Sequence, residues 1–207
     1  MIEIPVNYRD FLSLVMNFLG HLFFSPDDDE LRIANLFGDF VKGSDLSEFP
    51  QKVQDGIHLH RSIDNYIDHH QKVISLLHEL YPKLPKISGI AVDLYFDHLL
   101  AINWKDYHKE SLRSFTTRVY KSFNHLPEFY PLDFRYVLSK MAHEDWLYQY
   151  RLFSGLEMAS KGLSKRIRFE NKLADAPSVY LEFHEKIEKV FREYMMDGME
   201  HFKISHI

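Results

Sequence analysis

Residues 56–70 read Gly-Ile-His-Leu-His-Arg-Ser-Ile-Asp-Asn-Tyr-Ile-Asp-His-His, with apolar residues at the spacing of a helix face. On such a helix His60, Asp64 and Asp68 lie one turn apart on roughly one side. An imidazole and a carboxylate four residues apart can bind one metal ion from a single rigid element. The stretch therefore predicts a partly buried helix that contributes metal ligands, with a solvated polar face as the alternative interpretation.

The same helical spacing runs through most of the chain, and few stretches alternate as β-strands do. The predicted helices lie at 16–24, 29–42, 50–70, 72–81, 88–104, 107–124, 132–149, 150–165 and 178–202. No internal repeat, low-complexity tract or long linker divides them. The pattern predicts an all-α fold: a single helical domain over residues 16–207 with about eight or nine helices, preceded by an N-terminal extension at residues 1–15.

Composition limits the kinds of protein this chain can be. Its 207 residues are 45% hydrophobic and 15% aromatic, which suffices for a sizeable core. It has no cysteine, which excludes disulfides, zinc–thiolate sites and thiol nucleophiles. A net charge of −5 argues against general nucleic-acid binding. No apolar run approaches the roughly 20 residues that span a bilayer. Because no signal peptide is evident, we expect a cytoplasmic protein without nucleic-acid or membrane partners.

Three more stretches place ionisable side chains among apolar residues: Asp93, Asp97 and His98 within 90–104, Asp39 within 36–43, and His21 within 16–24. Buried acids must meet either basic side chains or a cation. His21 is correspondingly either a hydrogen-bonded core residue or a ligand. Oxygen and imidazole ligands without thiolate suit Mn²⁺, Mg²⁺ or Fe²⁺. A metal ion of this kind suits hydrolysis of a phosphate ester.

Four motifs carry a family resemblance: Met-Asn-Phe-Leu-Gly-His-Leu at 16–22, Gly-Asp-Phe-Val-Lys-Gly at 38–43, Gly-Ile-His-Leu-His-Arg-Ser-Ile-Asp at 56–64, and Val-Asp-Leu-Tyr-Phe-Asp-His-Leu-Leu at 92–100, followed by Trp104. In order and spacing they resemble the acyl carrier protein phosphodiesterases. The resemblance implies hydrolysis of the phosphodiester between 4′-phosphopantetheine and the serine of holo-acyl carrier protein, within fatty acid and lipid metabolism. It also implies a divalent cation, preferably Mn²⁺, and an all-helical fold related to the HD phosphohydrolases.

The HD phosphohydrolases bind metal through a His, a His-Asp pair and a distal Asp, whereas residues 97–98 here run Asp-His. Their ligand scheme is therefore not transferred as a whole. At the motif-matched positions we expect these metal ligands: His21, Asp39, His60, Asp64 and Asp97. Asp68 and Asp93 are expected to orient the ligands.

Three residues are predicted to serve catalysis directly. Asp39 is expected to be essential because its motif matches the family closely. His98 is the candidate general acid or base, since its ordinary pKa lies near neutrality. Arg61 is expected either to bind the phosphate or to pair with a neighbouring acid of its own helix, Asp64 or Asp68.

The resemblance also implies a strongly acidic partner, the acyl carrier protein. Basic residues near the predicted site should then form the docking surface, and Lys42, Lys52 and Arg61 are the candidates. Two other functions stay open from the sequence. One is an HD-like phosphohydrolase acting on nucleotides or small phosphate esters, and the other is a non-catalytic helical module that binds a carrier protein.

Overall fold

The computed structural model describes residues 18–204, which form ten α-helices and no β-strand. The helices are α1 (Phe18–Phe23), α2 (Asp29–Phe37), α3 (Gln51–His69), α4 (Gln71–Leu80), α5 (Ser88–Ile102), α6 (Leu112–Ser122), α7 (Leu132–His143), α8 (Trp146–Gln149), α9 (Phe153–Ser164) and α10 (Ala176–His201). The prediction of an all-α fold is confirmed. The predicted extension at residues 1–15 lies outside the described residues.

Local signals in the sequence account for several helix starts. The carboxylate of Asp28 accepts the backbone N–H of Leu31 at 3.1 Å and so caps α2. Pro50 directly precedes α3, and Pro177 lies in the first turn of α10, where a missing N–H leaves no helical hydrogen bond unmade. Each signal lies close to a predicted start, so local chemistry positions these helices.

Three predicted helix boundaries are wrong. The helix predicted at 29–42 ends at Phe37, and Gly38–Phe40 form a 3₁₀ turn. The helix predicted at 132–149 is divided into α7 and α8, because Asp145 adopts a left-handed backbone conformation with φ of 55°. The guanidinium of Arg113 contacts the Asp145 carboxylate at 2.7 Å and stabilises this break. The helix predicted at 107–124 begins only with α6, where the hydroxyl of Ser111 accepts the N–H of Ser114.

Helix α5 lies at the centre of the fold and is buried on nearly every side. It packs against α1, α4, α9 and α10. Helices α2 and α3 pack closely against each other, and Gly56 permits their approach, since a Cβ there would lie 2.3 Å from the Cβ of Ala34. This arrangement brings α1, α3 and the end of α2 together. Within residues 18–204, every helix is too short or too polar to cross a bilayer.

Candidate metal centre

Three side chains from two helices converge beside the end of α2. His21 on α1 and His60 and Asp64 on α3 each offer one ligand atom, and these atoms all lie within 4.8 Å of one another. Asp39 joins them from the short 3₁₀ turn Gly38–Phe40, with its Oδ1 atom 3.3 Å from His60 Nε2. Four of the five predicted metal ligands therefore share one site.

The two imidazole rings are stacked and point the same edge at the carboxylates. Their centroids are 4.2 Å apart and their planes differ by 18°. His21 Nε2 lies 3.2 Å from one oxygen of Asp64, and His60 Nε2 lies 3.1 Å from the other. The Asp64 carboxylate thus faces both rings at once.

Asn35 determines which nitrogen of each ring carries a proton. Its amide Nδ2 donates to the His21 carbonyl at 3.1 Å and to the Ser25 hydroxyl at 2.8 Å. Its Oδ1 therefore faces the rings, 2.9 Å from His21 Nδ1 and 3.3 Å from His60 Nδ1. Because an amide oxygen only accepts, both Nδ1 atoms must donate. In the neutral rings the lone pairs are then on Nε2, the atoms that face the acids.

The charges at this site favour a cation between the rings and the acids. Burial lowers the pKa of His60, but hydrogen bonds and charge from Asp39 and Asp64 outweigh it and raise that pKa to about 9. Burial raises the pKa of Asp64, but the hydrogen bonds and charge of His21 and His60 outweigh it and hold that pKa below its ordinary 3.8. Without a metal, a proton supplies the positive charge at this position.

The residues present fit a divalent metal ion. His21 is 2% exposed, and among residues 18–204 its Nε2 has no hydrogen-bond partner of acceptable geometry despite the nearby carboxylate. Two neutral imidazoles with Nε2 lone pairs, together with carboxylates from Asp64 and Asp39, form a nitrogen and oxygen donor set. Such a set suits borderline and hard divalent ions.

The fifth predicted ligand, Asp97, lies in a different environment. Its two oxygens accept the backbone N–H groups of Leu19 at 3.1 Å and Gly20 at 2.8 Å, so it holds the start of α1. Burial raises its pKa to about 7, although these two hydrogen bonds lower it. The structure thus uses Asp97 to hold the backbone of α1 and leaves it outside the cluster of His21, His60 and Asp64.

The two acids predicted to orient the ligands lie near the cluster. Asp93 and Asp97 line a small cavity of about 20 Å³ between α1, α3, α5 and α10. Burial and then the charge of Asp64 raise the pKa of Asp93 well above its usual range. Asp68 follows Asp64 by one turn, and partial burial followed by the Asp64 charge raises its pKa as well. Both acids therefore respond to the charge at the cluster.

His98 and Arg61 make their contacts with the backbone. His98 is 6% exposed and its Nδ1 donates to the carbonyl of Tyr150 at 2.6 Å, while burial lowers its pKa. Arg61 donates to the carbonyls of Val41 at 3.4 Å and Gly43 at 2.6 Å, so it braces the loop that follows Asp39. It therefore contacts the backbone rather than the acids of its own helix.

The three basic residues predicted to dock the carrier protein differ in how accessible their charges are to a partner. Lys52 pairs with Asp28 at 2.7 Å and with Glu30 at 3.2 Å, so its charge is already balanced. Lys42 is exposed in the loop after Asp39. Among Lys42, Lys52 and Arg61, Lys42 is thus the best placed to meet an acidic partner.

A comparison with protein families identifies the relatives of this chain. The family described as acyl carrier protein phosphodiesterase matches residues 16–197. The chain belongs to the acyl carrier protein phosphodiesterase family. Its relatives carry that name: a protein of Photorhabdus laumondii is 27% identical over 190 residues, which cover 89% of this chain and 96% of the relative. One of Enterobacter sp. strain 638 is 28% identical over 152 residues, covering 73% and 79%. No solved structure matches.

In this member of the acyl carrier protein phosphodiesterase family, sequence reasoning did not identify Asn35 as part of the site. Asn35 is fully buried within α2, between residues that belong to the core. A buried amide on an apolar helix face needs partners, and that was the available signal. The sequence could not show that its partners are the two histidines of the candidate metal centre.

Proposed function

We propose that this protein uses a divalent metal ion, preferably Mn²⁺, to hydrolyse the phosphodiester that joins 4′-phosphopantetheine to the serine of holo-acyl carrier protein. Membership of the family supports the substrate and the reaction. The metal ligands are His21, His60, Asp64 and Asp39. Asp97 positions α1. Asp93 and Asp68 contribute to the electrostatic potential at the cluster. The products are apo-acyl carrier protein and 4′-phosphopantetheine.

One observation supports the metal most directly. Asn35 accepts a hydrogen bond from Nδ1 of both His21 and His60, so in the neutral rings both Nε2 lone pairs face carboxylates. Lone pairs that face carboxylates repel them unless a proton or a metal ion lies between. A bound divalent ion would supply that charge, neutralise phosphate oxygens and make water more acidic.

The chain's own residues set the geometry of the reaction. Asp97 fixes the first turn of α1 through two backbone N–H groups, and with it the position of His21. Arg61 fixes the loop after Asp39. Water attacks phosphorus in line, the bond from phosphorus to the serine oxygen breaks, and that oxygen takes up a proton. The role of His98 as the acid or base stays a prediction.

Mass spectrometry of holo-acyl carrier protein tests the reaction. After incubation with this protein and Mn²⁺, the carrier should lose the mass of its prosthetic arm, and chelation of the metal should prevent the loss. Parallel assays with nucleotides and small phosphate esters test the alternative enzyme. An unchanged carrier alongside hydrolysis of a nucleotide would favour that alternative.

Replacing Asp39 with alanine should abolish turnover and leave the helical content unchanged. The Asp39 carboxylate lies 3.3 Å from His60 Nε2 and is 20% exposed, so it faces the site and not the core. Loss of such a ligand should lower kcat at least about a hundredfold. Asp106→Ala, at an exposed position in another 3₁₀ turn, is the matched control. Substantial activity in Asp39→Ala would contradict the assignment.

A further inference from the structure

The surface at the C-terminal end of α9 is basic, in contrast to the chain as a whole. Residues 161–172 contain five basic side chains and one acidic one, whereas the whole chain has a net charge of −5. The basic residues are Lys161, Lys165, Arg166, Arg168 and Lys172. The three lysines are exposed, and within residues 18–204 none of them forms an ion pair with a carboxylate. Their charges are therefore available to an acidic partner.

The exposed side of α9 combines these charges with apolar surface. Met158, Lys161 and Lys165 lie three and four residues apart, which places them on one side of the helix. Met158 is 63% exposed, and Phe169, just after the helix, is 46% exposed. Large apolar side chains that are exposed among polar ones are typical of a surface that binds another protein.

A lysine from another part of the chain joins this surface. Lys86 lies between α4 and α5, is exposed, and has a left-handed backbone with φ of 67°. Its Nζ atom lies 5.9 Å from the centre of the Phe169 ring, whose face attracts a cation. The α9 surface is therefore formed by Lys86, Met158, Phe169 and the basic residues of 161–172, and Glu157 and Glu170 are the acids next to them in the sequence.

The other exposed lysines of the helical faces are less available. Lys72, Lys83 and Lys186 each pair with a glutamate across the contact between α4 and α10. Lys52 pairs with two acids beside α2. These regions are balanced in charge, so an acidic partner gains less from contacting them than from contacting the α9 surface.

The α9 surface borders a cavity that also reaches the helix of His21. Met158 and Arg166 line a mainly apolar cavity of about 430 Å³ between α1, α5, α7, α8 and α9. Phe18 lines the same cavity and precedes His21 on α1 by three residues, which is about 4.5 Å along the helix axis. A protein interface of ordinary size covers about 800 Å² on each partner. Such an interface can therefore extend from the α9 surface to α1.

We propose that the α9 surface is the docking site for an acidic face of the carrier protein. The proposal rests on the proposed function, which makes an acidic carrier protein the substrate. Lys161, Lys165 and Lys172 pair with carboxylates of the carrier, and Met158 and Phe169 pack against apolar side chains that lie between those carboxylates. Because the attraction is electrostatic, added salt weakens the complex.

Binding of apo-acyl carrier protein tests the docking site without catalysis, because the apo form has no arm to cleave. Calorimetry with the full-length protein should show that Lys161→Glu combined with Lys165→Glu raises Kd at least about tenfold, since the carrier then faces like charges. Lys105→Glu combined with Lys109→Glu is the matched control. These two lysines are also exposed and four residues apart, but they lie between α5 and α6, so Kd should stay within about twofold.

Kinetics with the holo-carrier add a second measurement. The Lys161 and Lys165 double variant should raise KM at least about tenfold and leave kcat within about threefold, because docking is lost and the metal centre is intact. An unchanged Kd and KM in this variant, or equal losses in the two double variants, would overturn the docking site.

Two further results separate the possible causes. Binding to phosphatidylglycerol vesicles that depends on Lys161 and Lys165, without binding of the apo-carrier, would assign the surface to a membrane and overturn the proposal. If the unmodified protein binds the apo-carrier through these lysines but removes no arm from the holo-carrier, the proposed function fails and the docking site stands.

Discussion

At the scale of single residues, the site depends on the proposed ligands and also on the residues that hold those ligands in position. Asn35 accepts from both imidazole rings and donates to the His21 carbonyl and the Ser25 hydroxyl. These four hydrogen bonds orient its amide, and the amide in turn orients the rings. Gly38 also helps to position a proposed ligand, because a Cβ at residue 38 would lie 2.3 Å from the His60 ring.

Asn35→Ala should weaken Mn²⁺ binding by about 10- to 100-fold, because both rings lose the acceptor that fixes their tautomer and orientation. Calorimetric titration with Mn²⁺ measures the loss. Ser25→Ala removes the hydroxyl partner of Asn35 and leaves its contacts with both rings, so it should retain most of the affinity. Equal losses in the two variants would show that Asn35 acts only in packing.

Gly38→Ala should lower kcat/KM about a hundredfold, because the added methyl group must displace the His60 ring and a ligand misplaced by about 1 Å costs that much. Gly20→Ala is the matched substitution at the site. A Cβ there lies 3.4 Å from the Asp97 carboxylate, which is near ordinary contact, so activity should stay within a few-fold. Full activity in Gly38→Ala would mean that His60 is not held where the reaction needs it.

At the scale of elements, helix α5 makes hydrogen bonds that hold two other segments of the chain in place. Its Asp97 holds the first turn of α1, and its His98 donates to the carbonyl of Tyr150, just after α8. Neighbouring residues of a helix point about 100° apart, so the two side chains serve different partners. The apolar character of α5 made its burial predictable, whereas these partners come from distant parts of the chain.

We expect the free energy of unfolding to decrease at acidic pH, and we attribute part of this decrease to His98. Burial lowers its pKa from 6.5, so below about pH 6.5 the unfolded chain takes up a proton that the folded protein does not. The contribution of His98 to the free energy of unfolding should therefore be fully present above that pH. It should decrease as pH falls, by up to about 1.4 kcal/mol per pH unit. Urea unfolding from about pH 7 to pH 5 measures it.

His98→Asn should show a smaller decrease over the same pH range, because asparagine does not titrate and can still donate to the Tyr150 carbonyl. The difference between the two proteins isolates His98 from the other histidines, including His60, whose raised pKa acts in the opposite direction. Parallel pH curves for the two proteins would rule out this contribution.

At the scale of the whole molecule, the proposed ligands join α1, the turn after α2, and α3. A metal ion that binds only the folded protein stabilises it by mass action, by about 2.7 kcal/mol at a hundredfold excess over Kd. For a chain of this size that corresponds to a rise in Tm of roughly 5–10 °C. Thermal unfolding with and without Mn²⁺ measures it.

The rise in Tm should disappear in His60→Ala and persist in His58→Ala. His58 lies on the same helix two residues earlier but is exposed. A rise that persists in His60→Ala would show that Mn²⁺ binds elsewhere, and the proposed metal centre would then be wrong.

The all-α class, most helix positions and the family could be predicted from the sequence, because helical spacing and capping are local properties and the four motifs are contiguous. The sequence also indicated the four side chains that meet at the cluster. Packing between helices was needed to show that Asp97 caps α1, that Arg61 braces a loop, that Asn35 orients both histidines, and that an apolar cavity opens between α1, α5 and α9. The physical reason is that a side chain's partners come from packing between helices, and such packing joins residues up to 78 positions apart in this chain's site.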